Sequence, residues 1–154
     1  MDIAELLTRD AIAIRTGASS KREVLHAAAD LAARRTGVPS AVLLEGLLTR
    51  EGLGSTGLGG AVAVPHARIP GLERLVGVFL RLETPVTFEA IDDRPVDIIF
   101  ALFAPPEAGV EHLRALAAVS RSLRSSDVRQ QIRQAASADA IHALLVRSAV
   151  ADAA

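Results

Sequence analysis

Apolar positions recur along the chain with two different periods, and the changes between them predict its elements. Ser20-Lys21-Arg22-Glu23 reads as a capping box, in which Ser20 caps a helix and Glu23 reaches back to it. Val24, Ala28 and Leu31 follow at helical spacing, and Gly37 is the expected stop. Pro39 suits the first turn of a second helix, along which Leu43, Leu47 and Leu44, Leu48 recur four apart until Arg50–Gly52. Five glycines between Gly52 and Gly60 then exclude a regular helix. Ala61 to Val64 is a short apolar segment closed by Pro65. Leu75 to Leu82 and Val96 to Ala104 are continuous apolar runs rich in β-branched and aromatic residues, the pattern of strands buried on both faces. Between them, Thr84 to Phe88 predicts a short extended piece, followed by a turn at Asp92-Asp93. After Pro105-Pro106 the helical period returns at Leu113, Leu116, Val119 and Leu123. Two more helices are expected over Asp127–Ala135 and Ala138–Ser148, with Ala151–Ala154 as a frayed tail. Helices, then strands, then helices predict one α/β domain over residues 1–154, its sheet covered on both faces.

Composition narrows the function more than the fold. The 154 residues are 50% hydrophobic but 3% aromatic, with four Phe and no Tyr or Trp. The chain has no Cys, which excludes disulfides, thiolate metal sites and cysteine nucleophiles. A formal net charge of −1 and the scarcity of aromatic rings argue against nucleic-acid binding. The opening residues MDIAELLTRD carry acids where a signal peptide carries bases. Apolar runs such as Ile98 to Ala104 are too short to cross a bilayer. No membrane insertion is expected, and the cytoplasm is the default location.

Reactive chemistry then rests on a few residues. Gly52-Leu53-Gly54-Ser55-Thr56-Gly57 satisfies G-x-G-x-x-G, but a dinucleotide fold needs a strand before that motif and a helix after it, and here the order is reversed. The loop is instead a glycine-rich turn. Its backbone N–H groups and the Ser55 and Thr56 hydroxyls are candidates for a small anion cradle. His66 follows Pro65 at the end of a predicted short strand, where a stiff backbone would present a nucleophile that works near neutral pH. A loop histidine with no role is the competing reading. His112 falls in the first turns of the helix after Pro105-Pro106, where the helix N-terminus favours a neutral ring and a nearby anion. Its plainer reading is a half-buried helix residue. His26 and His142 lie inside helices among alanines and read as surface or packing positions. His66 and His112 are too few to make a zinc site, and no cofactor is expected.

Two longer stretches carry a resemblance. They are Thr49-Arg50-Glu51-Gly52-Leu53-Gly54-Ser55-Thr56-Gly57-Leu58-Gly59 and Ala63-Val64-Pro65-His66-Ala67-Arg68. With Leu82 to Asp92, Pro95 to Leu102 and His112-Leu113, they resemble enzyme IIA domains of the fructose/mannitol type from the phosphotransferase system. The nitrogen-regulatory branch, enzyme IIA-Ntr, is the most similar, and the likeness runs from about Ile3 to Val146. One departure is Ala67-Arg68, where that branch often has Gly-Lys; a basic residue is kept.

The resemblance implies an α/β sandwich around a mixed sheet and a phosphoryl group carried on histidine. His66 would be the acceptor, His112 the second active-site histidine and Arg50 the arginine of the Arg-Glu motif. Ser55, Thr56 and Gly57 would add phosphate contacts. The implied donor is a phosphorylated HPr-like carrier of the NPr type. The implied outputs are regulated targets such as transporters or sensor kinases. Two alternatives stay open: a sugar-specific enzyme IIA that passes phosphate to an enzyme IIB, and a binding module that is never phosphorylated.

Overall fold

The computed structural model describes residues 3–153. Its framework is one six-stranded mixed sheet with six α-helices. A short helix α1 (Ile3–Leu6) and a single 3-10 turn lead into β1 (Ile12–Thr16). Helices α2 (Lys21–Thr36) and α3 (Ser40–Glu51) follow. Four strands come next in short order: β2 (Gly57–Gly59), β3 (Val62–Ala63), β4 (His66–Arg68) and the long β5 (Val76–Val86). Then come β6 (Val96–Ala104), α4 (Gly109–Arg124), α5 (Ser126–Gln134) and α6 (Ala138–Ala153). The α/β class and the two long buried strands agree with the sequence pattern.

Strand β6 organises the sheet. It pairs antiparallel with β5 along one edge and parallel with both β3 and β4 along the other. The full order is β1-β5-β6-β3-β2, with β4 also beside β6. Every residue from Ile98 to Ala104 is 0% exposed, so β6 is covered on both faces. Helices α2 and α3 pack together, and α4, α5 and α6 form a second group. All four phenylalanines are fully buried, and Phe79 meets Phe100 edge to face at 6.4 Å.

Several local readings shift. Ser20 caps α2 by accepting the Glu23 N–H at 3.1 Å, but the Glu23 carboxylate reaches one residue further back, to the N–H and hydroxyl of Ser19. Gly37 ends α2 at φ 76°, a left-handed conformation that costs glycine nothing. Pro39 stands at the cap of α3 rather than inside its first turn. Strand β1 is an addition to the predicted set. It pairs parallel with β5, far away in sequence, so no local turn announces it. Thr84-Pro85-Val86 continues β5 instead of forming a separate piece. Helix α6 runs through the expected tail to Ala153, a run rich in alanine, the best helix former; Ala154 lies outside the described residues.

Two features place the site. Val62 pairs with Ile98 and His66 with Leu102, the same offset, so β3 and β4 are two pieces of one path along β6, interrupted at Pro65. Proline has no N–H to give the ladder, yet its carbonyl still accepts the Leu102 N–H at 2.9 Å. His66 therefore opens β4 rather than closing the strand before it. Helix α3 also lies close against β4. A Cβ built at Gly46 would fall 2.7 Å from Ile69 Cδ1 and 3.2 Å from Ala67 Cβ. Gly46→Val is expected to cost about 1–3 kcal/mol through overpacking, read as a lower urea midpoint at unchanged slope. Gly46→Ala is expected to cost less, because the nearest atom is the flexible end of Ile69.

Candidate active site

A cavity of about 660 Å³ opens between α3, β4 and α4. His66, Arg50, Arg68 and His112 line it with Leu53 and Leu113. Three elements supply the polar groups: Arg50 comes from the last turn of α3, His66 and Arg68 from β4, and His112 from the first turn of α4. Three of the residues singled out in the sequence, His66, His112 and Arg50, thus come together.

The two imidazoles sit with ring centroids 5.5 Å apart and planes tilted by 55°. His66 Nδ1 lies 2.9 Å from the Val64 carbonyl. A carbonyl only accepts, so the neutral ring must carry its proton on Nδ1, and its lone pair is on Nε2. Burial lowers the pKa of His66, the Val64 bond opposes that shift, Arg50 adds to it and Glu51 opposes it. His112 is 5% exposed, and its Nδ1 has no hydrogen-bond partner among the described residues. Burial first, then the neighbouring His66 and Arg68, push its pKa down to about 4. Both shifts favour the neutral ring.

Each cavity arginine is tethered by one nitrogen. Arg50 Nη1 donates to the Gly54 carbonyl at 2.9 Å, and Arg68 Nη1 to the Pro106 carbonyl at 3.2 Å. A guanidinium has five N–H donors, so each keeps others for an anion. The rim is apolar and open: Leu53 is 82% exposed and Leu113 64%. The buried face of α4 carries His112, Ala115, Val119 and Leu123, and Leu113 lies off it.

The side chains of the glycine-rich loop bond within the protein. Ser55 Oγ donates to the Phe88 carbonyl at 2.6 Å and accepts the Gly57 N–H at 3.0 Å. Thr56 gives both its N–H and its hydroxyl to the Glu51 carboxylate, each at 2.7 Å. These donors are engaged within the protein, and none of Ser55, Thr56 and Gly57 lines the cavity. Their polar groups tie the loop down because a half-buried turn must satisfy its own backbone. Glu51, to which no sequence pattern assigns a role, is buried and bonded to Lys21 at 3.0 Å. A lone acid beside a helix end gives no local sign of burial.

His26 is exposed, 3.6 Å from Asp30, and His142 bonds the Leu7 carbonyl at 3.1 Å. Neither lines the cavity. Among the described residues, no group of three or more His, Asp or Glu is arranged to hold a metal ion, and no helix is long and apolar enough to cross a membrane.

Residues 5–148 match the family described as phosphoenolpyruvate-dependent sugar phosphotransferase system, EIIA 2. The chain belongs to this EIIA family. It is 41% identical to a nitrogen regulatory protein of Bradyrhizobium diazoefficiens, over 94% of this chain and 95% of that one. It is 30% identical to a fructose-specific EIIA component of Haloferax volcanii, over 94% of each. Among solved structures, the EIIA fold matches nitrogen regulatory protein IIA-Ntr from Neisseria meningitidis. The TM-score is 0.89 at 36% identity, covering 93% of this chain and 98% of that one.

The His112 pKa makes a prediction about stability. Unfolded, the ring protonates near pH 6.5, and folded only near 4. Between those values the unfolded state binds more protons, so stability is full above about 6.5 and falls as pH drops toward 4. His66, shifted the same way, adds to this slope. His112→Asn is expected to flatten stability measured by urea unfolding across that window.

Proposed function

We propose that this EIIA domain is a regulatory phosphocarrier, with His66 as the residue that takes up a phosphoryl group. The observation that carries the reading is the pair of imidazoles at 5.5 Å in a cavity that also holds Arg50 and Arg68. The donor is a phosphohistidine carrier of the HPr-like, NPr type. Targets such as transporters or sensor kinases read the result, and the protein works in the cytoplasm. The similarity to proteins named nitrogen regulatory supports this reading.

The chemistry uses the tautomer directly. The lone pair on His66 Nε2 attacks the donor's phosphorus as the donor's P–N bond breaks, and that bond pair stays with the donor ring. His66 keeps its Nδ1 proton throughout, so its ring becomes cationic once the new P–N bond forms. The Val64 carbonyl stabilises that cation through the bond it already accepts. One P–N bond replaces another, so little driving force is needed, and the protein contributes alignment and charge stabilisation. Arg50 and Arg68 face the developing charge on the phosphoryl oxygens. His112, whose Nδ1 has no partner among the described residues, supplies a further contact, and a dianion beside it draws its pKa back up.

A second reading is a sugar-specific EIIA that hands the group to an EIIB, supported by the 30% identity to a fructose-specific component. Both readings share His66 and differ in the acceptor. Incubation with phosphoenolpyruvate, enzyme I and the small carrier is expected to add one acid-labile phosphate by intact mass. His66→Ala is expected to add none; normal labelling of that variant would reject His66. His112→Ala is expected to fold and to slow transfer or shorten the phospho-form's lifetime, by roughly 100-fold. Unchanged values would leave His112 as a packing residue. Quantitative discharge of the phospho-form by a fructose-type EIIB would favour the second reading.

A further inference from the structure

We infer that Lys21 and Glu51 are positioning residues for His66, acting through Thr56 and Val64. The inference rests on His66 as the acceptor, but its geometry can be tested without any phosphate. Glu51 ends α3 with its side chain only 5% exposed. A carboxylate is left ionised at such a site only when charge and hydrogen bonds compensate it. Here Lys21, the first residue of α2, provides the charge at 3.0 Å, and Thr56 provides two donors at 2.7 Å. Lys21 is itself held, with Nζ 4.8 Å above the Phe88 ring and 3.3 Å from Glu89.

What this buried carboxylate fixes is the chain leading to the active imidazole. The Thr56 carbonyl accepts the Val64 N–H at 3.0 Å, and the Val64 carbonyl accepts His66 Nδ1–H at 2.9 Å. Val64 is thus held at both backbone groups, one by the loop that Glu51 pins and the other by the ring. Pro65 leaves little play between them, because its own φ is locked and it biases Val64 toward extended geometry. If Thr56 is released, the Val64 carbonyl is free to turn, and the one group that dictates the His66 tautomer is lost. Glu51 adds a second influence, since its charge offsets that of the adjacent Arg50 at the same ring.

The full chain carrying Glu51→Gln or Lys21→Met tests this with two readouts. The first is the nitrogen-15 shift pattern of the His66 ring in unphosphorylated protein, at a pH where the ring is neutral. The wild type is expected to show one tautomer, protonated at Nδ1, and the variants a mixture. The second is phosphoryl transfer from the phosphorylated carrier, expected to slow about 10- to 100-fold, as for a misaligned nucleophile. A variant that melts earlier but keeps the single tautomer and the wild-type rate would reduce the pair to a structural staple. Slower transfer with an unchanged tautomer would also overturn the inference. If one variant fails to fold, the other decides. If His66 is not the acceptor at all, the wild type takes up no phosphate there, and the tautomer still gives its own answer.

Discussion

The hydrogen bond from His66 to the Val64 carbonyl is the interaction on which the site depends. It spans two residues and needs an unusual piece of backbone. A regular strand directs successive carbonyls to alternate sides, and a carbonyl facing a neighbouring strand is taken up by the ladder. At Val64 the N–H goes to Thr56, away from β6, while Pro65 directs its own carbonyl to Leu102. The Val64 carbonyl is left for the imidazole. The proline that breaks β3 from β4 thus creates both the acceptor and the rigid step that presents the ring.

Everything around that step serves to hold it still. Strand β6 is buried on both faces and paired along both edges, which makes it the least compliant part of the sheet. Keeping β3 and β4 in one register along β6 leaves Pro65 no freedom to slide. The close approach at Gly46 then sets the distance of α3, and with it Arg50 one turn later. His112 reaches the same cavity from the first turn of α4, a helix that also packs against β6. Such a site needs few reactive side chains, because its work is alignment, and this suits a chain without Cys, Tyr or Trp.

How much of this was legible follows from the range of each interaction. Ser20, Gly37 and the apolar run Val96–Ala104 act locally or by bulk, and the sequence announces them. His66, His112 and Arg50 were legible through motif resemblance, and the structure brings them into one cavity. Strand β1 was missed because its partner β5 is more than sixty residues away at Ile12 and Phe79. Ser55 and Thr56 were read as an anion cradle because the side of the loop that their donors face is a tertiary fact. Glu51 was invisible for the same reason: its charge partner, Lys21, comes from another helix. Leu113 keeps the helical period yet stands at the lip of the cavity, a distinction that periodicity alone does not draw.

The tether at Nδ1 also bears on what kind of signal such a protein emits. In the proposed chemistry the phosphoryl group arrives at the far nitrogen, so the ring's attachment to its own backbone survives the reaction. On that chemistry the sheet would be the same before and after, and no strand would have to be remade when the group leaves. A partner would then distinguish the two forms by charge laid on an unchanged relief, among the exposed leucines at the rim. That is a message written in electrostatic potential rather than in shape. On the proposed chemistry it would be erased as the bond is broken, with no refolding step required.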